Sequence, residues 1–219
     1  MANDKIKFST GTVVDEDGYI YQQGTKITSS AAELNIMTGV TATASEINAA
    51  ADQGSVVGTM SASTVMAATL AAYDVTTFRT GNIIKTTMYI DLTGAKSTTT
   101  DNDIIGDTGA CHIGQVTAAV NGAIFAGQVS CAEVPTTGAD DINLAASSVA
   151  TGAYDAAVTG LANAQAIMTA GGAHAIGTVK PFTVLPTDDY YLYLSAGEAG
   201  TPGTYDAGIL IIEMWGLAS

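Results

Sequence analysis

Basic residues are scarce in this sequence. Lysine and arginine together number 7 in 219 residues, against 21 aspartates and glutamates, and the formal net charge is −14. Such a chain would repel a phosphate backbone, so nucleic acid is not an expected partner. An acidic surface more often keeps a protein soluble than recruits a specific cationic partner.

Apolar runs of membrane-spanning length are also missing. The sequence has no stretch of 18 or more apolar residues, and residues 1–10, MANDKIKFST, lack the apolar core of a signal peptide. We therefore expect no membrane partner and a protein that stays in the cytoplasm in which it is made. In that reducing compartment Cys111 and Cys131 are expected to be buried thiols.

Residues suited to catalysis are few. Histidine occurs only as His112 and His174, and neither surrounding sequence matches a nucleophile motif. Cys111 and His112 are adjacent, so in a strand their side chains would point to opposite faces, which favours packing over a joint site. Phosphate-binding loops, dinucleotide fingerprints and zinc spacings are absent. The sequence predicts no enzyme, no cofactor and no metal site.

One acidic loop leaves a cation site open as an alternative. Asp101, Asp103 and Asp107 could gather around a hard cation, but Ile105 stands where the EF-hand pattern requires a ligand. A solvated acidic loop is the favoured interpretation.

Two further features could indicate carbohydrate chemistry. The pairs Asp140–Asp141 and Asp188–Asp189 could serve a glycan-cleaving enzyme, although aspartate is common in turns for its own reasons. Tyr191 and Tyr193 share one face of a predicted strand and could stack on a sugar, but aromatic residues on strands more often pack.

Strand patterns dominate from residue 74 onward. In residues 83–92 apolar and polar side chains alternate, and the predicted inward set is Ile84, Thr86, Met88, Ile90 and Leu92. Asn121–Gly122 predicts a hairpin between strands at 115–120 and 123–134. Further strands are predicted at 142–149, 177–185, 190–195 and 208–215, and the alanine-rich residues 160–172 are the one helix predicted among them. We predict an antiparallel β-sandwich or jelly roll over residues 74–219.

The region before that domain has two parts. Asp17–Gly18 lies between short extended runs at 12–14 and 19–22, so residues 1–26 are predicted to form an extended arm or hairpin. Residues 27–73 are predicted to be an oligomerisation segment. Its uncharged end, residues 53–73, could be a linker or a packed stem.

A thirteen-residue repeat begins this segment, with residues 27–39 matched by residues 40–52. Each copy carries the capping box S/T-x-x-E, at Ser30–Glu33 and at Thr43–Glu46, which predicts two short helices. Helices of about two turns are unstable alone in water, so self-association is expected to bury their apolar residues. The residues predicted to form this junction are Thr28, Leu34, Asn35, Thr41, Ile47 and Asn48.

The repeated T-x-[ST]-A-x-E-[LI]-N resembles the TATAAELN repeats of tailed-bacteriophage virion proteins. The later residues, among them TTFRTGNIIKTTMYIDLTG and AGILIIEMWG, are similar to virion structural proteins of marine phages. The resemblance implies a non-enzymatic virion part, often trimeric. The second copy departs from the motif after Asn48, so a long fibre shaft is not expected.

These observations favour a capsid decoration or cement protein. It would be a homotrimer on the capsid surface of a virion assembled in the host cytoplasm, with the major capsid protein as its partner. The alternative is a head or tail fibre module that recognises the host surface. A glycan-cleaving enzyme is a third hypothesis that no motif supports.

Overall fold

The computed structural model describes residues 6–7, 12–14, 20–22, 25–26, 58, 60–197 and 202–218. The chain divides into two compact units, Met1–Ile47 and Asn48–Ser219. The protein is mainly β, and every strand pair among the described residues is antiparallel. None of the helices in these residues is long and apolar enough to cross a membrane.

The first unit contains one sheet of four short strands in sequential order. These strands are β1 (Ile6–Lys7), β2 (Thr12–Val14), β3 (Ile20–Gln22) and β4 (Thr25–Lys26). Strands β2 and β3 pair in the register Thr12 with Gln22 and Val14 with Ile20. The two extended runs predicted on either side of Asp17–Gly18 are therefore antiparallel neighbours, while Asp17–Gly18 itself lies outside the described residues. The two predicted capped helices lie outside the described residues.

The second unit contains two larger sheets and a small two-stranded one. The five-stranded sheet has the order β12–β9–β15–β6–β5 and the four-stranded sheet has the order β11–β10–β13–β8. The strands of the five-stranded sheet are β5 (Ala72–Thr80), β6 (Ile83–Asp91), β9 (Ala123–Thr136), β12 (Val179–Pro181) and β15 (Ala207–Leu217). Those of the four-stranded sheet are β8 (Gly114–Gln115), β10 (Ile142–Ser147), β11 (Gln165–Met168) and β13 (Tyr191–Ala196), while β7 (Lys96–Ser97) pairs with β14 (Gly203–Thr204).

Strand β6 follows the alternation of its sequence. Ile84, Thr86, Met88 and Ile90 are buried, as is Leu92 just after the strand, which confirms the predicted inward face. The two-residue period of the sequence matches the burial pattern of β6, because successive side chains of a strand point to opposite faces. The turn before β6 consists of Gly81 and Asn82, and Gly81 has a φ of 59°. Glycine adopts that left-handed conformation without steric cost.

The predicted strand at 115–120 is wrong. Residues Ala118–Asn121 form a short helix, α2, preceded by α1 at Thr64–Thr69. The Thr117 hydroxyl accepts a hydrogen bond from the Val120 amide, and Gly122 ends the helix with a φ of 69°. Asn121 turns into the core and is fully buried. Asn–Gly therefore marks a helix end here, and β9 begins directly after it.

The predicted helix over residues 160–172 is also wrong. A 3₁₀ helix covers Val158–Gly160, and Gln165–Met168 is strand β11, which pairs with β10. Pairing along β10 and burial of Ile167 and Met168 outweigh the helix propensity of the alanines, which is worth only tenths of a kcal/mol per residue. Strands β10, β13 and β15 confirm three other predicted strands, and the fourth is shorter than predicted, at Val179–Pro181.

The uncharged stretch before β5 packs into this unit where it is described. Helix α1 begins after Ser63, whose hydroxyl accepts a hydrogen bond from the Met66 amide at 3.1 Å and donates one to the Ala110 carbonyl at 2.6 Å. Met60, Met66 and Leu70 are buried in the core. That core is one cluster of side chains to which both large sheets contribute, for example Met88 and Ile212 from one and Leu144 and Leu194 from the other.

Candidate interaction surface

The residues predicted to form the trimer junction are Thr28, Leu34, Asn35, Thr41, Ile47 and Asn48. All six lie outside the described residues, so their role stays a prediction.

The three aspartates of the acidic loop, Asp101, Asp103 and Asp107, lie in different environments. The Asp103 carboxylate is buried and accepts a hydrogen bond from the Thr98 hydroxyl at 2.8 Å, while Asp107 forms an ion pair with Lys96. Asp101 is exposed and lines a cleft. Within the described part of the chain, no group of three or more histidine, cysteine or acidic residues could hold a metal ion.

The Cys111 and His112 side chains contact different neighbours. The Cys111 thiol donates a hydrogen bond to the Gly109 carbonyl at 3.3 Å, and burial raises its pKa, so it remains protonated at neutral pH. The His112 ring meets Tyr191 edge to face at 4.9 Å between ring centroids, and burial lowers the pKa of the imidazole. A protonated thiol beside a neutral imidazole is not the thiolate pair that nucleophilic catalysis uses.

His174 is a buried packing residue. Its Nε2 atom lies 2.9 Å from the Ile142 carbonyl oxygen, so that nitrogen carries the ring proton. Its Nδ1 atom is buried with no hydrogen-bond partner among the described residues. Burial lowers the pKa of His174, because a second proton would place a charge in this environment.

The tyrosines and acidic pairs of the sequence do not form an open carbohydrate platform. Tyr193 is fully buried and its hydroxyl donates a hydrogen bond to the Val149 carbonyl, while Tyr191 is half-buried against His112. The Asp188 carboxylate accepts a hydrogen bond from the Ala118 amide at 2.6 Å. Asp189 has a φ of 65°, a conformation that aspartate tolerates in turns.

Large apolar side chains are exposed on the outer face of the five-stranded sheet. Phe78, Ile83 and Leu217 each expose between 46% and 49% of their surface, and Trp215 is half-exposed. The register places Leu217 opposite Ile83, and Trp215 opposite Lys85, which is in turn opposite Phe78. Paired residues of adjacent strands share a face, so Phe78, Ile83, Trp215 and Leu217 form one patch, here called the outer-sheet surface.

A polar network lies within the outer-sheet surface, because Lys85 stands between Trp215 and Phe78. The Lys85 ammonium lies 2.5 Å from a Glu213 carboxylate oxygen and 5.5 Å from the centroid of the Trp215 ring. Gln128 donates a hydrogen bond to the other Glu213 oxygen at 2.6 Å. The hydrogen bond from Lys85 lowers the pKa of Glu213, so the carboxylate stays ionised at neutral pH. These contacts hold the Lys85 ammonium beside the Trp215 ring, and the cation–π attraction between them stabilises the positions of both side chains.

The two edges of this sheet differ. Strand β12 is three residues long and ends at Pro181, which cannot donate a ladder hydrogen bond. Strand β5 is nine residues long and, among the described residues, pairs with β6 alone. A long unpaired edge is a template for another strand, and here it adjoins the outer-sheet surface through Phe78. In the described part of the chain, the sheet therefore presents an apolar face and an unpaired edge side by side.

Sequence reasoning missed the outer-sheet surface. In β15 both faces are apolar, since Ile209 and Ile211 lie on the outer face while Leu210 and Ile212 lie on the inner one. An apolar run of this kind predicts a strand but not which of its residues are exposed.

No family model, no curated protein and no solved structure matches this chain.

Proposed function

We propose that this protein is a structural part of a tailed-bacteriophage virion. It is a capsid decoration or cement protein that binds the assembled head as a homotrimer, and the major capsid protein is its partner. The repeated T-x-[ST]-A-x-E-[LI]-N motif supports the virion assignment. The observation that carries the binding role is the exposed outer-sheet surface beside the edge of β5, which pairs only with β6 in the described part of the chain.

The finer fold belongs to the same proposal. We take the two large sheets to be the layers of an antiparallel sandwich of the jelly-roll kind, because they contribute to one buried cluster. The last strand, β15, pairs with both β6 and β9, so strands far apart in sequence are neighbours. Connections of that sort occur in Greek-key and jelly-roll sandwiches.

The trimer junction is assigned to the two copies of the repeat. Each copy would form one layer of short helices around a three-fold axis, with Leu34 and Ile47 in the centre. The double variant Leu34→Asp and Ile47→Asp should therefore be monomeric in sedimentation equilibrium. The control variant, Ala32→Asp and Ser45→Asp, makes the same charge change at the variable positions of the motif and should stay trimeric. Trimers in the first variant would refute the junction.

Contact with the capsid is assigned to the outer-sheet surface. Exposed apolar patches on otherwise polar proteins are commonly sites of protein association, and burying this one would remove several large side chains from water. The free edge of β5 could add main-chain hydrogen bonds to a strand of the partner.

The assignment predicts a selective loss of binding to heads that lack this protein. Phe78→Asp with Leu217→Asp should fail to co-sediment with such heads. Ile176→Asp with Val184→Asp makes the same charge change at two exposed apolar residues outside the outer-sheet surface and should bind normally. Normal binding by the first variant would remove the outer-sheet surface from the capsid contact.

The stabilisation of the head by such a protein follows from the thermodynamic linkage between binding and assembly. A ligand that binds only the assembled lattice stabilises it by about 2.7 kcal/mol per site when its free concentration is 100 times its dissociation constant. A trimer seated over a three-fold position gains further, because its second and third contacts are intramolecular.

A further inference from the structure

A polar cleft lies on the four-stranded sheet, away from the outer-sheet surface. Its volume is ≈ 380 Å³, near the lower end of the range for small-molecule sites. One wall is formed by β10, β11 and β13, and the other by the 3₁₀ helix at Val158–Gly160 and the turn at Asp101–Asn102. A single ring-sized ligand would fill a cleft of this size.

Two polar side chains from adjacent strands line this cleft. Asn143 of β10 is paired directly with Ser195 of β13, so both side chains project from the same face of the sheet. Asn143 is 8% exposed and Ser195 is 0% exposed. The Ser195 hydroxyl has no hydrogen-bond partner among the described residues. A buried hydroxyl without a partner is uncommon in folded proteins and calls for an explanation.

The surroundings of Asn143, Gln165 and Asp101 decide what each can offer to a ligand. The Asn143 side-chain oxygen accepts a hydrogen bond from the Ala170 amide at 2.7 Å, which fixes the amide group and turns its NH₂ group away from that contact. Gln165 is held at the rim by two hydrogen bonds to Thr187. Asp101 is exposed at the opposite wall and supplies carboxylate oxygens. The cleft thus offers donors and acceptors together.

Its charge narrows the class of ligand. Of the described residues that line the cleft, Asp101 is the only charged one. An anion would meet that carboxylate with no cation to balance it, and one carboxylate is too few for a tightly held divalent cation. Hydroxyl groups suit the site, because each hydroxyl both donates and accepts a hydrogen bond.

We propose that this cleft binds a neutral sugar ring, with adjacent ring hydroxyls held by Asp101, the Asn143 amide and the Ser195 hydroxyl. No aromatic side chain lines the described cleft, so the ring gains no stacking energy, and the affinity for a single ring is in the millimolar range. No described residue of the cleft belongs to the proposed capsid contact or to the predicted trimer junction. A glycan, which presents many such rings, would bind an oligomer more tightly through several clefts at once.

The test is an NMR titration of the ¹⁵N-labelled full chain with glucose, galactose, mannose and N-acetylglucosamine, each added separately. At least one sugar should shift the amide signals of Asn102, Asn143 and Gln165 in a saturable way. Sodium sulfate and calcium chloride are the anion and cation probes and should leave these signals in place. The proposal fails if no sugar shifts them, or if sulfate or calcium shifts them and the sugars do not.

Three variants separate binding from folding. Ser195→Ala should weaken sugar binding about fivefold, the equivalent of one neutral hydrogen bond, without lowering the midpoint of urea unfolding. Asp101→Ala should weaken it about tenfold or more, since hydrogen bonds to a charged group are stronger. Thr77→Val is the matched control, because the buried Thr77 hydroxyl also has no partner among the described residues but does not line the cleft. This variant should bind the sugar as the wild type does. Unchanged binding by both Ser195→Ala and Asp101→Ala would overturn the proposal.

Discussion

Asn121 is the polar group on which the packing of α2 depends. Its side-chain nitrogen donates a hydrogen bond to the Thr86 hydroxyl at 2.9 Å and lies 3.1 Å from the Met60 sulfur. Its side-chain oxygen accepts a hydrogen bond from the Thr117 amide at 2.9 Å. One buried side chain thus connects the start of α2, strand β6 and the segment that leads to α1.

The variant Asn121→Ala removes both of these hydrogen bonds and puts nothing in their place. The Thr86 hydroxyl, which is fully buried, and the Thr117 amide are each left without this partner. A buried polar group that loses its partner costs about 1–3 kcal/mol, so we expect the free energy of unfolding to fall by about 2–5 kcal/mol. That loss is a large share of the about 5–15 kcal/mol by which a typical domain is stable.

Urea unfolding followed by tryptophan fluorescence measures this loss, since Trp215 lies in β15 of the same unit. Asn82→Ala is the matched control: Asn82 is exposed in the turn before β6, and its replacement should change the free energy of unfolding by no more than about 0.5 kcal/mol. A loss below about 1 kcal/mol in Asn121→Ala would refute the reasoning, because it would mean that the two partners find other hydrogen bonds or water.

Three further predictions concern single residues of the second unit. Burial lowers the pKa of His174, so as the pH falls below about 6.5 this histidine is protonated in the unfolded chain before it is protonated in the folded one. The free energy of unfolding therefore falls by up to about 1.4 kcal/mol per pH unit in that range. In His174→Gln, urea unfolding at a series of pH values should lack this part of the pH dependence. Ser63→Ala removes the cap of the Met66 amide and should lower the free energy of unfolding by about 1–2 kcal/mol. Gly216→Ala places a Cβ against the Asn121 carbonyl oxygen and should lower the thermal midpoint by several degrees or more, whereas an unchanged midpoint would show that the backbone can move.

The strands were predictable from sequence where one face is apolar and the other polar. Strand β6 is the clearest example, because Lys85 and Thr87 alternate with Ile84 and Met88. The same reasoning failed at Asn121–Gly122, where the dipeptide typical of a hairpin ends a helix. The difference arises from tertiary contacts, since Asn121 is held by Thr86 of β6, a residue 35 positions earlier in the sequence.

The candidate sites were less accessible to sequence reasoning than the strands. The outer-sheet surface depends on the face of the sheet to which Phe78 and Trp215 point. Because β15 has apolar residues on both faces, its sequence does not indicate which of them are exposed. The cleft joins Asp101, Asn143 and Ser195 through strand register and loop placement. Residues so far apart form no local motif, so only the fold brings them together.

The proposed virion role also bears on the acidity of the chain. A net charge of −14 would make copies of the protein repel one another in solution, and this repulsion opposes association until apolar contacts outweigh it. The outer-sheet surface combines large apolar groups with one ion pair, Lys85 with Glu213, so its own charge is balanced. Such a surface could meet the capsid without adding to the repulsion.

The most direct test of the proposed function is the ratio of this protein to the major capsid protein in purified virions. Quantitative mass spectrometry with labelled reference peptides gives that number. A ratio near parity is the result that we expect of a decoration lattice. A trace ratio would favour the fibre module that recognises the host, and complete absence from the particle would contradict the virion assignment.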